Sequence, residues 1–128
     1  MITRITIQSE SAYGPVDRAY KDRLTITRSS VRYEYEPLKA TPAHQPQKWT
    51  VMSREPRFER MFWNLCGEVR QLLSREDDQG GGNRDLTTFT LMYDNGEKEE
   101  RTLSLPDVTY TVCFTIVDQM VKSANGQM

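Results

Sequence analysis

The sequence predicts an α+β fold, in which an antiparallel sheet of five or six strands carries two helices packed on one face. Three observations lead to this prediction: alternating apolar and polar runs in the first third, a helical stripe of apolar residues in the middle, and a second alternating hairpin before a final periodic segment. Successive strands with few helices between them favour an antiparallel sheet. The predicted order is β-β-β-(β)-α-β-β-α, within a single domain over residues 1–128.

The composition fits one globular domain and excludes several other classes. The chain has 128 residues, 37% hydrophobic and 27% charged, with a formal net charge of −1, so no strong polyelectrolyte partner is implied. Its apolar runs are far shorter than the ~20 residues that a membrane-spanning helix needs. The N-terminus has no basic head followed by an apolar segment, so we expect no signal peptide and a cytoplasmic location.

The N-terminal strands are expected within residues 2–52. Each candidate run alternates in polarity, which is typical of a half-buried strand. The runs are Ile2 to Ser9, Arg23 to Arg28, Val31 to Glu36 and the short segment Trp49 to Met52.

Ser29 and Ser30 separate the second and third runs and are expected to form a two-residue hairpin turn. That register places Ile26 opposite Tyr33. A shift by one residue would mix apolar and charged side chains on both faces, so the pattern specifies which residues share a face.

The helical stripe predicts a long helix over residues 54–75. Ser53 is expected to be its N-cap, and Pro56 is tolerated in the first turn because the missing N–H has no intrahelical partner there. The apolar residues are spaced four and three apart, as one face of a helix requires. They are Phe58, Phe62, Leu65, Val69 and Leu72.

A second hairpin is expected over residues 86–105, with its turn at Asp94-Asn95-Gly96. A three-residue loop with Gly96 in the left-handed conformation pairs Tyr93 with Glu97 and Thr87 with Leu103. It keeps the apolar residues of both strands on one face, so this loop is favoured over a two-residue Asn95-Gly96 turn.

The last element admits two interpretations. Residues 108–117 alternate like a strand, but an apolar helical stripe continues beyond them and explains a longer segment. We therefore predict a C-terminal helix over residues 107–123, with Asp107 as its N-cap and Gly126 after its end.

No catalytic or metal-binding motif is found, and no cofactor is predicted. The chain has one histidine and no Cys-x-x-Cys pair, so the usual tetrahedral zinc sets cannot form. Cys66 and Cys113 lie in apolar stretches and are expected to be buried, reduced thiols. His44 is the natural general base because of its pKa, yet its sequence neighbours offer no nucleophile.

Arg28 and Arg32 lie close to Tyr33 and Tyr35, a combination that can bind single-stranded nucleic acid by stacking bases on a sheet. Two points weaken this interpretation. The tyrosines share the apolar face of their hairpin, and Glu34 mixes the charge of the other face. Nucleic acid therefore has little support as a partner.

Trp63 falls outside the helical stripe and is a candidate contact residue for a partner. The binding candidates are Trp63, His44, Arg28 and Arg32. The favoured function is a non-enzymatic binding or protein-interaction domain. Its partner can be a second copy of the chain, bound through an exposed strand edge or through Trp63. The alternative is a small-molecule enzyme that uses His44 or Asp85 in a pocket between the sheet and the loops.

Three segments carry a resemblance: Lys48-Trp49-Thr50 through Phe62, Phe89 to Gly96, and Cys113 to Val121. Together they resemble a group of small uncharacterised bacterial α+β proteins. In that group a tryptophan follows the first strands, and a Phe-rich helix, a Tyr-Asp-x-Gly hairpin and a C-terminal helix come after it. The resemblance implies a helix for the last element and brings no activity with it.

Overall fold

The computed structural model describes residues 1–11, 20–42, 45–74, 85–103 and 108–126. Its elements follow the predicted order. They are β1 (Ile2–Ser11), β2 (Tyr20–Thr27), β3 (Ser30–Pro37), β4 (Gln47–Met52), α1 (Pro56–Leu73), β5 (Asp85–Tyr93), β6 (Lys98–Leu103) and α2 (Val108–Ala124).

The six strands form one antiparallel sheet in the order β4-β3-β2-β1-β5-β6, which confirms the predicted α+β class. β1 lies in the middle, where Ile5 is paired with Ile26 of β2 on one side and with Leu91 of β5 on the other. Alternate residues of these strands point to the same face, so their apolar side chains form a continuous layer.

Both helices cover this layer. α1 and α2 pack against each other, α1 contacts β5 and β6, and α2 contacts β3 and β4. The core lies between the helix pair and the sheet, since the fully buried side chains come from both layers. The largest of them are Phe58, Phe62, Phe89, Ile5, Ile7, Ile26, Leu65, Leu72, Leu91 and Met120.

The turn between β2 and β3 differs from the prediction. Thr27 pairs with Ser30 and Ile26 with Val31, so the two-residue turn is Arg28-Ser29 and not Ser29-Ser30. The Thr27 hydroxyl accepts the Ser29 N–H at 3.2 Å, which favours a turn one residue earlier. Because the register moves by two residues, Tyr33 faces Leu24 and not Ile26, while the two faces stay as predicted.

The predicted loop of the β5–β6 hairpin is confirmed. The Tyr93 N–H donates to the Glu97 carbonyl at 2.9 Å, and Thr87 pairs with Leu103. Gly96 has φ +88°, a left-handed conformation that suits glycine because it has no Cβ.

α1 is shorter than the predicted 54–75, and Ser53 is not its N-cap. The Ser53 N–H donates to the Ser29 carbonyl at 2.9 Å, which still belongs to the pairing of β4 with β3. Glu55 occupies the N-cap position in an extended conformation, as a residue before proline prefers, and its side chain makes no capping bond. Pro56 lies in the first turn as predicted.

The last element is a helix, as predicted, with buried Cys113, Val117 and Met120 spaced four and three residues apart. Gly126 follows its end with φ +73°. The proposed N-cap Asp107 lies outside the described residues. Within the described ranges neither helix has the length and apolar character needed to cross a membrane.

Candidate functional site

A groove of about 500 Å³ lies where the start of β1 and the end of β5 meet the middle of α1. We call it the Trp63 groove. Its walls come from one end of the β1–β5 pair and from α1. It is lined by Met1, Ile2, Trp63, Cys66, Gly67, Arg70 and Tyr93.

A β-bulge forms one wall of the Trp63 groove. The pairing of β1 with β5 shifts between Ile2 and Arg4, which leaves Thr3 as the extra residue. Ile2 and Ile5 would face opposite sides of a regular strand, but the bulge turns both of them toward the helices, and both are buried. Ile2 thereby reaches the groove and contributes an apolar side chain to it.

Gly67 contributes to the floor of the groove. It lies inside the 18-residue helix α1, where glycine costs about 1 kcal/mol relative to alanine. Among the described residues, no atom lies within 4 Å of a Cβ built at this position. Packing within this part of the chain therefore does not explain the glycine, and its missing side chain leaves the helix backbone open to the groove.

Trp63 lies one helical turn before Gly67 and is half-buried. Its ring packs edge-on against Phe62 with 4.9 Å between centroids, and its Nε1–H donates to Glu59 Oε2 at 3.2 Å. The polar group of the indole is thus satisfied by its own helix. What the tryptophan offers to the groove is apolar surface.

The rim of the groove is polar. Arg70 is exposed and donates through Nη2 to the Tyr93 hydroxyl at 3.5 Å, and that hydroxyl donates to the Glu99 carboxylate. The Arg70 guanidinium is charged, as arginine always is in proteins, and the hydrogen bond to Tyr93 raises its pKa further. An apolar floor beside a cationic side chain is a suitable environment for a group that is apolar at one end and anionic at the other.

Cys66 lies in the wall of the groove but does not act as a nucleophile there. Its side chain is almost fully buried, and burial raises the pKa of the thiol to about 12, against a smaller opposite effect of the Arg70 charge. The reactive form of cysteine is the thiolate. At neutral pH Cys66 is a neutral thiol that packs like a small apolar residue, and Cys113 on α2 is likewise free and buried.

Of the three predicted binding residues that the structure describes, one, Trp63, lies in the groove. Arg28 lies in the β2–β3 turn, and Arg32 lies on the sheet face away from the helices, where its Nε is 3.3 Å from Glu34 Oε1. His44 lies outside the described residues, and so does the side chain of Asp85. The enzyme alternative that depends on those two residues therefore stays a prediction.

The arginines and tyrosines of the first strands lie on opposite faces of the sheet. Tyr33 pairs with Leu24 and shares its helix-facing side, whereas Arg32 pairs with Thr25 on the outer side. A surface that binds nucleic acid by stacking needs aromatic rings and cations on the same face. In this part of the sheet the aromatic rings and the cations lie on different faces, so it does not form such a surface.

A second polar cluster lies on the helix-facing side of β1, β2 and β3. The Tyr33 hydroxyl donates to Asp22 Oδ2 at 3.0 Å, and Ser9 also bonds to this carboxylate. Burial raises the pKa of Asp22, and the bonds from Tyr33 and Ser9 partly oppose that effect. Trp49 of β4 packs on Tyr33 with 5.4 Å between ring centroids, so the cluster is closed on one side by aromatic contacts.

Sequence reasoning did not identify Gly67, Arg70, Tyr93 or Asp22. Gly67 could have been identified from the sequence, because a glycine inside a strongly periodic helix lowers helix stability and usually has a packing or functional reason. Arg70 and Tyr93 carry none, since only the folded chain brings them together.

Within the described residues no group of three or more His, Cys, Asp and Glu side chains is placed to hold a metal ion. Comparison of the chain with models of known protein families and with curated proteins found no match in either case.

Proposed function

We propose that this protein is a non-enzymatic binding or protein-interaction domain and that the Trp63 groove is its contact site. The observation that carries the proposal is Gly67, a costly glycine in mid-helix that no described packing explains. A gap over the helix backbone, flanked by Trp63 and Ile2, is suited to an apolar group that approaches the helix closely.

The positive charge of Arg70 at the rim of the groove indicates which kind of group the groove would bind. Arg70 is the cationic side chain among the residues that line the groove, and it is exposed. Guanidinium groups bind carboxylates with two parallel hydrogen bonds. We therefore expect an aromatic or aliphatic group that carries a carboxylate a few bonds away, as in a bulky apolar residue next to an acidic one in a partner protein.

The proposal is tested with a small probe, 3-phenylpropionate, and with 3-phenylpropylamine as the control of opposite charge. Binding is followed by the fluorescence of Trp63 in a Trp49→Phe background, which leaves Trp63 as the single tryptophan. A ligand of this size is expected to bind with a Kd of about 1–10 mM. The amine should bind more weakly because Arg70 repels it.

Gly67→Ala is the decisive variant. We expect it to raise the free energy of unfolding by about 0.5–1 kcal/mol through better helix propensity, and to weaken binding of the probe because its methyl group enters the groove. A more stable protein that binds more weakly cannot be explained by misfolding. Probe affinity that Gly67→Ala leaves unchanged would contradict the proposed site, and loss of the preference for the carboxylate in Arg70→Gln would support it.

A further inference from the structure

The two edges of the sheet differ in chemistry. Among the described residues the edge strands are β6 and β4. Four of the six residues of β6 are charged, whereas β4 has one charge, Lys48. Natural sheets use edge charges to prevent pairing with other chains, so β6 is protected in this way and β4 is not. β4 also exposes apolar surface, with Trp49 38% and Met52 69% exposed.

The backbone of β4 shows which residues face outward. Because the Ser53 N–H donates to the Ser29 carbonyl, Ser53 belongs to a hydrogen-bonded pair with β3, and so do Val51 and Trp49 by alternation. Lys48, Thr50 and Met52 lie between them, and their N–H and C=O groups point away from β3. Within the described part of the chain, these three residues form the unpaired edge of the sheet on the β4 side.

We propose that this edge pairs with the same edge of a second copy, antiparallel and about a twofold axis through Thr50. In this register Thr50 faces Thr50 of the partner subunit, and Lys48 faces Met52 of the partner subunit. Each such pair can exchange both of its N–H···O bonds, since all of these groups point outward. The six-stranded sheet then continues through both copies, with the helices of both on the same side.

Side chains favour the same register. On the helix-facing side Trp49 lies opposite Val51 of the partner subunit, an aromatic and β-branched pair of the kind that stabilises neighbouring strands. On the outer side the two threonines meet, and no charge faces a like charge. A shift that centres the pair on Trp49 would place Met52 opposite Pro46, which has no N–H to donate.

The expected dimer is weak. One pair of short edge strands buries less than the roughly 1,000 Å² of a stable interface, so we expect a Kd of about 10–100 μM. Sedimentation velocity across concentrations from about 1 μM to 1 mM should show a monomer that converts to a dimer. A monomer over this whole range overturns the proposal.

Two exchanges at position 50 test the register. Thr50→Lys and Thr50→Glu each place like charges on the axis, so each alone should raise the dimer Kd by up to about fivefold, because like charges directly opposite each other destabilise paired strands. An equimolar mixture should restore a dimer of one copy of each, because position 50 faces itself only in this register. Variants that dimerise as well as the unaltered chain, or a mixture that stays monomeric, would contradict it.

Thr50→Pro tests the backbone bonds. It removes an outward N–H without touching the pairing of β4 with β3, so the dimer should be lost while the circular dichroism spectrum and the unfolding midpoint stay close to normal. The matched control is Thr102→Pro, since Thr102 lies at an outward position of the other edge by the same alternation. That control should keep the dimer. Gly67→Ala should also keep it, which separates this proposal from that of the Trp63 groove.

Discussion

Asp22 is a carboxylate that the fold makes harder to ionise. Burial raises its pKa above the ordinary value of 3.8, so the folded state favours the neutral acid. The stability that this preference gives is fully present below pH 3.8 and is lost as the pH rises through the folded pKa. The hydrogen bonds from Tyr33 and Ser9 limit the loss because they favour the ionised form.

Asp22→Asn is therefore expected to become progressively more stable than the unaltered protein as the pH rises from about 3 to 7, because the amide never ionises but can still accept the Tyr33 hydrogen bond. Urea denaturation at a series of pH values measures the difference. Tyr33→Phe removes the hydrogen-bond donor that lowers the pKa of Asp22. This variant should therefore lose more of its free energy of unfolding than the unaltered protein does as the pH rises. Parallel stability curves for the unaltered protein and the Asp22→Asn variant would contradict this account.

The sequence identified one residue of the groove and missed the others for a physical reason. Trp63 stands out because a large apolar residue lies off the buried stripe of its own helix, which is local information. Arg70, Tyr93 and Ile2 lie together only because β5 pairs with β1 and a bulge turns Ile2 inward. Asp22 was missed because β2 begins at Tyr20, three residues before the alternation becomes clear.

The two hairpins show how far alternation can predict an element. In the β5–β6 hairpin, parity distinguished a three-residue loop from a two-residue loop, because one of them would split the apolar faces. In the β2–β3 hairpin the true and predicted turns differ by a register shift of two, which leaves both faces unchanged. Side-chain pattern cannot detect such a shift, and only the Thr27 hydroxyl bond to Ser29 N–H favours the observed turn.

Gly96 and Gly67 are expected to respond in opposite ways to the same change. Gly96→Ala places a Cβ on a backbone with φ +88° and should lower the free energy of unfolding by about 1–2 kcal/mol. Gly67→Ala adds a methyl group to a helix with free space and should raise it. The free energy of unfolding of Gly96→Asn should lie between those of the unaltered protein and Gly96→Ala, since asparagine tolerates this conformation better than alanine does. Chemical denaturation of the variants measures all of these, and an unaffected Gly96→Ala would mean that the loop is not constrained as described.

At the scale of the whole molecule, the core between the sheet and the helix pair encloses both cysteines. Cys66 on α1 and Cys113 on α2 are both buried, and burial raises the pKa of each thiol to about 12. Both thiols belong to the core between the helix pair and the sheet, so full exposure of either one requires that the two layers separate. The two residues therefore report on the opening of the layered structure.

We expect both thiols to react with a disulfide reagent at pH 8 at one slow rate that matches opening of the molecule, and at once in urea. Cys66→Ala and Cys113→Ala leave one thiol each, and the two rates should agree within a factor of about two if the helices open together. A rapid reaction of Cys66 alone would show instead that the groove admits the reagent to the thiol without unfolding.

The central position of β1 has a consequence for how the protein is made. Its neighbour β2 follows closely, but its other neighbour β5 begins only at residue 85, after β4 and α1. While the ribosome is still making α1, the strand that will be the most enclosed of the sheet has one side open. Unpaired strand edges can pair with other chains, so association between nascent copies is most favoured during this period of synthesis. The period ends when β5 pairs with β1, which places Leu91 opposite Ile5.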